Sequence, residues 1–346
     1  MWNVSKKNKL ITIIILLFIW ITIFVLNNKN SKLGKEITNT SDNIVFALPF
    51  SPMSYPIIKM VEDWVFEKVN KKPELIFWKT PEQVKALIVW QQWDIFAVPS
   101  NMAASFYNKW LDVKLLDISI WRAIWMVSRS NDKKTLSDLK WEEIAMPFKW
   151  NMIHLVFMEL AKKQGLNPEK DFKLQYVPSP MDAAQKLIMR SVDHALLVDP
   201  AVSTVINKSV TWPTSIIAAK LFRSVDIQDE WWRLFNTGNE IPFAWMMAGS
   251  EILKNKEVIE LFNLEYEKAS KWCVEHPKET AKLAVKYIPQ LDEKGVEIAM
   301  KNVKLEPISA IKSKDRLEQF YQVLLDSKPI LVWGKLPDEN FYYSNK

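Results

Sequence analysis

Tryptophan outnumbers glycine in this chain, 17 to 6 over 346 residues. Glycine lets a backbone enter the left-handed conformation without steric penalty, so its scarcity limits where helices can stop and turns can reverse. Ordinary usage of roughly 7% would give about 24 glycines. Several tryptophans stand where glycine is expected. Trp93 separates a helical run from the strand-like segment 94–98, and Trp110 follows the helical segment 101–109. Both are positions just past a helix, where a left-handed residue commonly closes the last turn. Trp141 falls in a tight turn before 142–147, and Trp333 sits beside Gly334. A bulky side chain at positive φ costs about 1–2 kcal/mol, a large share of a marginal net stability. A UGA codon read as glycine in the source and translated as tryptophan produces this pattern. Native glycine is therefore expected at Trp90, Trp93, Trp110, Trp141, Trp150, Trp232, Trp245 and Trp333, while Trp20, Trp121 and Trp272 read as tryptophan or stay unassigned.

The length exceeds one typical domain and suggests two. A net charge of +6 is mild, and the lysines are scattered rather than clustered among aromatics. That pattern argues against a nucleic-acid partner. The single cysteine, Cys273, allows no internal disulfide, and His154, His194 and His276 form no metal-ligand pair. No metal and no cofactor are expected. Lys6, Lys7 and Lys9 precede an apolar run over 10–26, followed by a polar stretch over 27–41. A basic start and an apolar core mark an export signal. No small-residue cleavage site follows closely, so an uncleaved signal-anchor is expected, with the globular part outside the cytoplasmic membrane.

Strand-like and helix-like segments alternate after residue 42. Strands are predicted at 43–50, 74–77, 94–98, 113–120, 124–129, 144–148, 172–177, 194–198 and 243–249. Helices are predicted between them, then almost continuously over 251–275, 278–287, 292–303 and 315–325. Alternation of this kind predicts parallel α/β sheets. Residues 87–103 and 187–203 echo one another, each with an aspartate, an apolar strand and a proline at the strand's carboxyl end. In open α/β sheets that end lines the ligand crevice.

No catalytic constellation emerges: there is no nucleophile elbow, phosphate loop or HExxH pair. Four strand-end loops carry the remaining chemistry. They are Phe50-Ser51-Pro52-Met53-Ser54, Ser100-Asn101, Lys149-Trp150-Asn151 and Asp199-Pro200. A helix start after such a loop offers free N–H groups to an anion, and Lys149 would add attraction. Asn151 reads equally as a plain helix cap. Asp199 either accepts a hydrogen bond from a ligand nitrogen or caps the next helix. On the first of these readings Asp199→Ala weakens binding and leaves the fold intact.

With these segments in view, 43–330 resembles the solute-binding proteins of nitrate/taurine/sulfonate-type ABC importers. The stretches that carry the likeness are 88–104, 113–130, 142–160 and 175–203, the last including Asp193-His194-Ala195-Leu196-Leu197 and Asp199-Pro200-Ala201-Val202. Glycine at 90, 93, 141, 150 and 245 makes it closer. The resemblance implies a bilobal periplasmic-binding-protein-like fold, two α/β sandwich lobes joined by a two-segment hinge. Lobe one would take 43–128 and 242–330, lobe two 129–241, after a signal or anchor region at 1–42 and before a tail at 331–346. It further implies a monomeric, non-enzymatic protein that captures a small polar or anionic solute, such as a sulfonate, nitrate, carboxylate or heterocyclic precursor, and delivers it to a membrane permease. An enzyme of thiamine-pyrimidine or menaquinone-precursor synthesis on the same fold, or a ligand-sensing receptor domain, are the alternatives. The chain departs from common relatives in lacking a lipobox cysteine.

Overall fold

The computed structural model describes residues 42–109, 111–236 and 240–344. Its strands, in chain order, are β1 (Asn43–Pro49), β2 (Lys72–Trp78), β3 (Ile95–Pro99), β4 (Val113–Arg122), β5 (Ile124–Ser128), β6 (Glu143–Pro147), β7 (Lys173–Val177), β8 (His194–Val198), β9 (Phe222–Asp226), β10 (Ala244–Gly249) and β11 (Lys304–Ser309). They form two sheets, a six-stranded one ordered β11-β4-β10-β3-β1-β2 and a five-stranded one ordered β7-β6-β8-β5-β9. The expected anchor over 10–26 lies outside the described residues, and among those described no helix is long and apolar enough to cross a membrane.

The sheets are mixed rather than parallel. β1–β3, β6–β7 and β6–β8 are parallel, as the alternation predicts. β10 runs against β3 and β4, and β5 runs against β8 and β9. The cause is topological. The chain steps from β4 in one sheet to β5 in the other across Ala123 alone, and later returns to the first sheet as β10. Only a connection that crosses over, usually through a helix, sets neighbouring strands parallel.

Helices cover the sheets, so central strands such as β3 read as unbroken apolar runs. Phe46 of β1 packs on Phe66 and Phe262, with ring centroids 5.1 and 6.0 Å away. Each buried aromatic of this kind contributes about 1.5–3 kcal/mol. Local signals set the helix ends. Thr80 accepts from the Gln83 amide in a capping box that opens Pro81–Val89. Gly165, at φ +76°, follows Met152–Lys163 and takes the left-handed turn that ends it. The long helix predicted over 251–275 is broken, because Asn255 caps a new helix, Lys256–Glu275, through the Val258 amide.

Among the described residues four tryptophans hold left-handed backbone: Trp64 (φ 56°), Trp141 (69°), Trp150 (67°) and Trp333 (58°). Three were anticipated; Trp64 was not, and it follows a helix that stops at Glu62. Trp90 itself is right-handed, and the left-handed residue is its neighbour Gln91. Trp232 lies inside the helix Ile227–Phe235. Trp245 is fully buried in β10 with its indole N–H unpartnered. The Trp93 ring stands 2.9 Å from where a Cβ on Gly249 would be. Trp110 lies outside the described residues.

Candidate functional site

Four of the strands that run into helices, two in each sheet, carry the loops expected from the sequence. β1 leads to Tyr55–Glu62, β3 to Ser100–Asn108, β6 to Met152–Lys163 and β8 to Ala201–Val210. The first turn is tied to itself: Ser54 Oγ donates to the Pro49 carbonyl at 2.7 Å, and the Ser54 amide to the Ser51 carbonyl. The Met53 carbonyl accepts from the Tyr266 hydroxyl at 2.9 Å. Pro52 is buried and Ser51 half-buried, whereas the Phe50 ring leans toward β2, 6.1 Å from Phe77. Tyr55, the next residue, is buried and its hydroxyl has no partner.

At the end of β3 the Ser100 carbonyl accepts from the Tyr321 hydroxyl at 3.0 Å. Its own hydroxyl meets Met152 Sδ at 3.5 Å, which joins a helix start of the first sheet to one of the second. Asn101 is buried beside it with Oδ1 unpartnered.

The second sheet's loops are more fully bonded. Asn151 caps its helix by accepting from the Met152 amide. The Trp150 amide donates to His154 Nδ1 at 3.2 Å, so the ring's Nε2 proton is free to meet the Tyr176 hydroxyl 3.0 Å away. Burial, aided by Lys149 and Lys328, pushes the His154 pKa down to about 4 and keeps the ring neutral. Lys149 is exposed and its ammonium lies over the Tyr176 ring at 4.9 Å. Asp199, after the strand β8, accepts from the Ser203 amide at 2.8 Å and from Arg223 at 3.2 Å. Arg223 also donates to Ser203 Oγ at 2.6 Å and rests 5.0 Å from the Trp125 ring centre. Burial raises the Asp199 pKa, opposed by Arg223 and Ser203. The aspartate therefore serves as a helix cap and an ion-pair partner at once. Pro200, joined to it by a cis peptide, is buried.

The two sets of strand ends face each other. Besides the Ser100–Met152 contact, Asp199 lies close enough to Tyr55 to add electrostatic repulsion to the effect of burial, and together they raise the tyrosine's pKa. Next to them the helices Ala201–Val210 and Glu293–Met300 cross so tightly that a Cβ on Gly295 would fall 2.0 Å from Thr204 Oγ1.

Among solved structures, this arrangement matches an ABC transporter protein of Parabacteroides distasonis, with TM-score 0.71 and 19% identity over 88% of this chain and 100% of that one. It also matches the periplasmic aliphatic sulphonate binding protein SsuA of Escherichia coli, with TM-score 0.61 and 16% identity over 85% and 97%. A third match is the periplasmic nitrate-binding protein NrtA of Synechocystis PCC 6803, with TM-score 0.62 and 11% identity over 87% and 83%. The fold is that of periplasmic solute-binding proteins. No family model matches the sequence, and no curated protein does either.

Within this solute-binding fold the expected residues divide. Ser54, Ser100, Asn101, Asn151, Asp199 and Pro200 are buried at the facing strand ends. Lys149 and Trp150 line a groove of about 240 Å³ with His154 and Tyr176. Trp150 also borders a larger groove of about 640 Å³ that reaches Lys162 and Lys328. Tyr55, Trp125 and Arg223 were not foreseen. Tyr55 reads in sequence as one more core aromatic at a helix start, and Arg223 lies on a strand that no pattern marked. Among the described residues no group of three or more His, Cys, Asp or Glu is placed to hold a metal. Burial pushes the Cys273 thiol up to about 12, which leaves it a poor nucleophile.

Proposed function

We propose that this chain is an extracytoplasmic substrate-binding protein of an ABC importer. It captures a small solute between two lobes, one built on each sheet, and passes it to membrane permease subunits. It acts as a monomer and makes or breaks no bond. The observation that carries this reading is the convergence of strand ends from both sheets, with Ser100 against Met152 and Tyr55 near Asp199. In a hinged pair of lobes, contacts made only on closure shift the population toward the closed form when a ligand supplies them. SsuA and NrtA, named for sulphonate and nitrate binding, share the fold.

Native mass spectrometry of the gently purified full chain tests the proposal. A small molecule retained in repeated preparations, released on denaturation and rebound on refolding, is the expected result. Consumption of that released compound by the protein would overturn the reading, and so would an unliganded mass in every preparation.

A further inference from the structure

The five-stranded half carries a surface that the proposed function does not use, at the end opposite its facing strand ends. β7 and β8 each run parallel to β6, and each is followed by a helix that runs back, Pro180–Ile188 and Ala201–Val210. The two helices pack together, so their last residues and the segments after them lie at one end. Met189 stands there at 63% exposure, with Val210, Trp212, Ile216 and Ile217 at 56, 77, 70 and 52%. Large apolar side chains so exposed are ordinary when scattered and call for a partner when grouped.

Composition sets this segment apart. Residues 209–219 hold no charged side chain, in a chain where 25% of residues are charged, and a lysine closes each side, Lys208 and Lys220. Arg190 follows Met189 at the same end. Lys208 reaches Asp292 at 3.7 Å. Among the described residues Lys220 has no carboxylate within ion-pair distance, and it lies over the Phe222 ring at 5.1 Å. Asp193, the carboxylate nearest Arg190 in sequence, is taken by Arg129 at 2.9 Å. The uncharged segment also satisfies its own backbone. The amides of Thr211 and of residues 215–218 donate to carbonyls between 208 and 214, and Thr211 Oγ1 donates to the Asn207 carbonyl at 2.8 Å. The apolar side chains are thus displayed by a turn that asks little of water, the condition for backbone that enters lipid.

An apolar centre flanked by cations matches an anionic bilayer surface. The apolar faces sink to the level of the headgroups, and the lysines, on apolar stems, keep their charge at the phosphates. A second copy fits less well, because a two-fold pairing of this patch brings the same cations toward one another. A membrane is also within reach. The apolar run 10–26 is the expected anchor, and the polar stretch 27–41 spans about 50 Å at full extension. We propose that this tip, Met189 with 210–217, is a membrane contact that seats on anionic phospholipid headgroups. It holds the anchored body against the bilayer rather than adrift on its linker. The contact does not depend on the residue at 212, since Met189, Val210, Ile216 and Ile217 are apolar around it. It rests on the membrane-held part of the proposed function and not on the ligand.

Spin labelling of the full chain, reconstituted in vesicles, tests this. Cys273 is the only cysteine and is buried, so a nitroxide on Ile217→Cys reports the tip alone. One on Glu257→Cys, an exposed position of the other half, serves as reference. In vesicles of phosphatidylglycerol and phosphatidylcholine, the label at 217 is expected to be reached by oxygen and shielded from a water-soluble nickel chelate, and the label at 257 the reverse. Arg190→Glu together with Lys220→Glu should lower the inserted fraction by about tenfold or more, and Ile216→Asn by about tenfold. Melting temperatures should hold, since all three positions are exposed. A 217 label left in water on vesicle-bound protein overturns the inference while the anchored reading stands. Equal insertion in phosphatidylcholine alone overturns the assignment to anionic headgroups. Spin–spin broadening at 217 in place of insertion makes a second copy the occupant and overturns it too. A chain that does not stay with the vesicles defeats the inference and the anchoring together, whatever native mass spectrometry shows of a retained ligand.

Discussion

Each half contains a buried aspartate, one just after β8 and one within β4, and the two are provided for differently. Asp199, in the five-stranded half, has Arg223 at 3.2 Å and the Ser203 amide at 2.8 Å. Asp117, on β4 of the six-stranded half, accepts from the Ser119 hydroxyl at 2.5 Å and has no cation paired with it. The neutral groups follow the same division. The Tyr55 hydroxyl and Asn101 Oδ1 are left unpartnered in the first half, while Asn151, His154 and Ser203 of the second are bonded, with Arg223 Nε and Arg129 Nη1 the exceptions. Arg223 Nε apart, the second rim is bonded within itself, whereas the first leaves the Tyr55 hydroxyl and Asn101 Oδ1 without a protein partner. The largest test of the contrast is Asp199→Ala. It removes a helix cap and strips a partly buried guanidinium of its partner, so unfolding stability should fall by about 3 kcal/mol. Chemical denaturation measures this, and a variant as stable as the parent would show that the second rim is not held by its own pairing.

Asp117 should respond in the opposite direction. Burial pushes its carboxyl up to about 7, with only Ser119 opposing. Its pKa is thus above that of an unfolded aspartate, near 3.9. As pH rises from about 4 to 7 the unfolded chain gives up this proton while the folded chain keeps it. Stability from this group is therefore present at low pH and lost as pH rises through that window. Asp117→Asn preserves the shape and removes the ionisation. It should raise stability at neutral pH by on the order of 2 kcal/mol and flatten the slope between pH 4 and 7. Melting curves across that range decide, and an unchanged slope would place the carboxylate in contact with an unseen cation or water.

Helices of the two halves cross at Gly295 and Thr204. Gly295 lies in the first turn of its helix, its amide donating to the Asp292 cap, and helical glycine is less favourable than alanine by about 0.5–1 kcal/mol at most, so alanine should be welcome here unless the contact forbids it. A Cβ at Gly295 would fall 2.0 Å from Thr204 Oγ1 and 2.9 Å from its Cα, so one helix must move. Gly295→Ala is expected to oppose closure by about 1–3 kcal/mol. The result would be a larger radius of gyration in solution scattering and ligand affinity lowered by tenfold or more. Affinity equal to the parent's would mean that this crossing is not part of closure.

How much of this was legible depends on whether a segment's neighbours show in its own residues. β1, β3 and β8 are buried on both faces, and their apolar runs are plain in the sequence. β9 and β11 escaped notice because each lies at a sheet edge and carries charge, with Phe222-Arg223-Ser224 in one and Lys304-Leu305-Glu306 in the other. The four strand-end loops were found from prolines and cap residues, since those have local signatures. Their division into paired and unpaired rims was not, because the partners lie far along the chain. Asp199 meets Arg223 24 positions away, and Ser100 meets Met152 52 positions away. Tyr55 carries no local mark at all.

The smallest effect concerns the tryptophans, and it bears on whether the edge of the second rim is native. Trp64, Trp141 and Trp150 are all left-handed and exposed, 70%, 60% and 43% of each residue facing solvent. In that setting the side chain gains little from burial while its Cβ strains the backbone by about 1–2 kcal/mol. Replacing each with glycine should therefore raise stability by up to about 1 kcal/mol, after the added freedom of the unfolded chain is subtracted. Trp121 and Trp231 are fully buried and are not left-handed, and truncating either should cost about 3–5 kcal/mol. Trp150 is the telling member of the set. Its ring stacks under the Lys328 ammonium at 3.7 Å and forms a wall of both grooves. Glycine there merges the two grooves and frees Lys149 and Lys328 from the indole, so that edge becomes more open and more basic while Tyr55 and Asn101 stay as they are. Peptide sequencing of the protein from its own source decides which residue the second rim carries. Tryptophan at 64, 141, 150 and 333 would end the recoding reading, and glycine at all four with tryptophan at 121 and 231 would establish it.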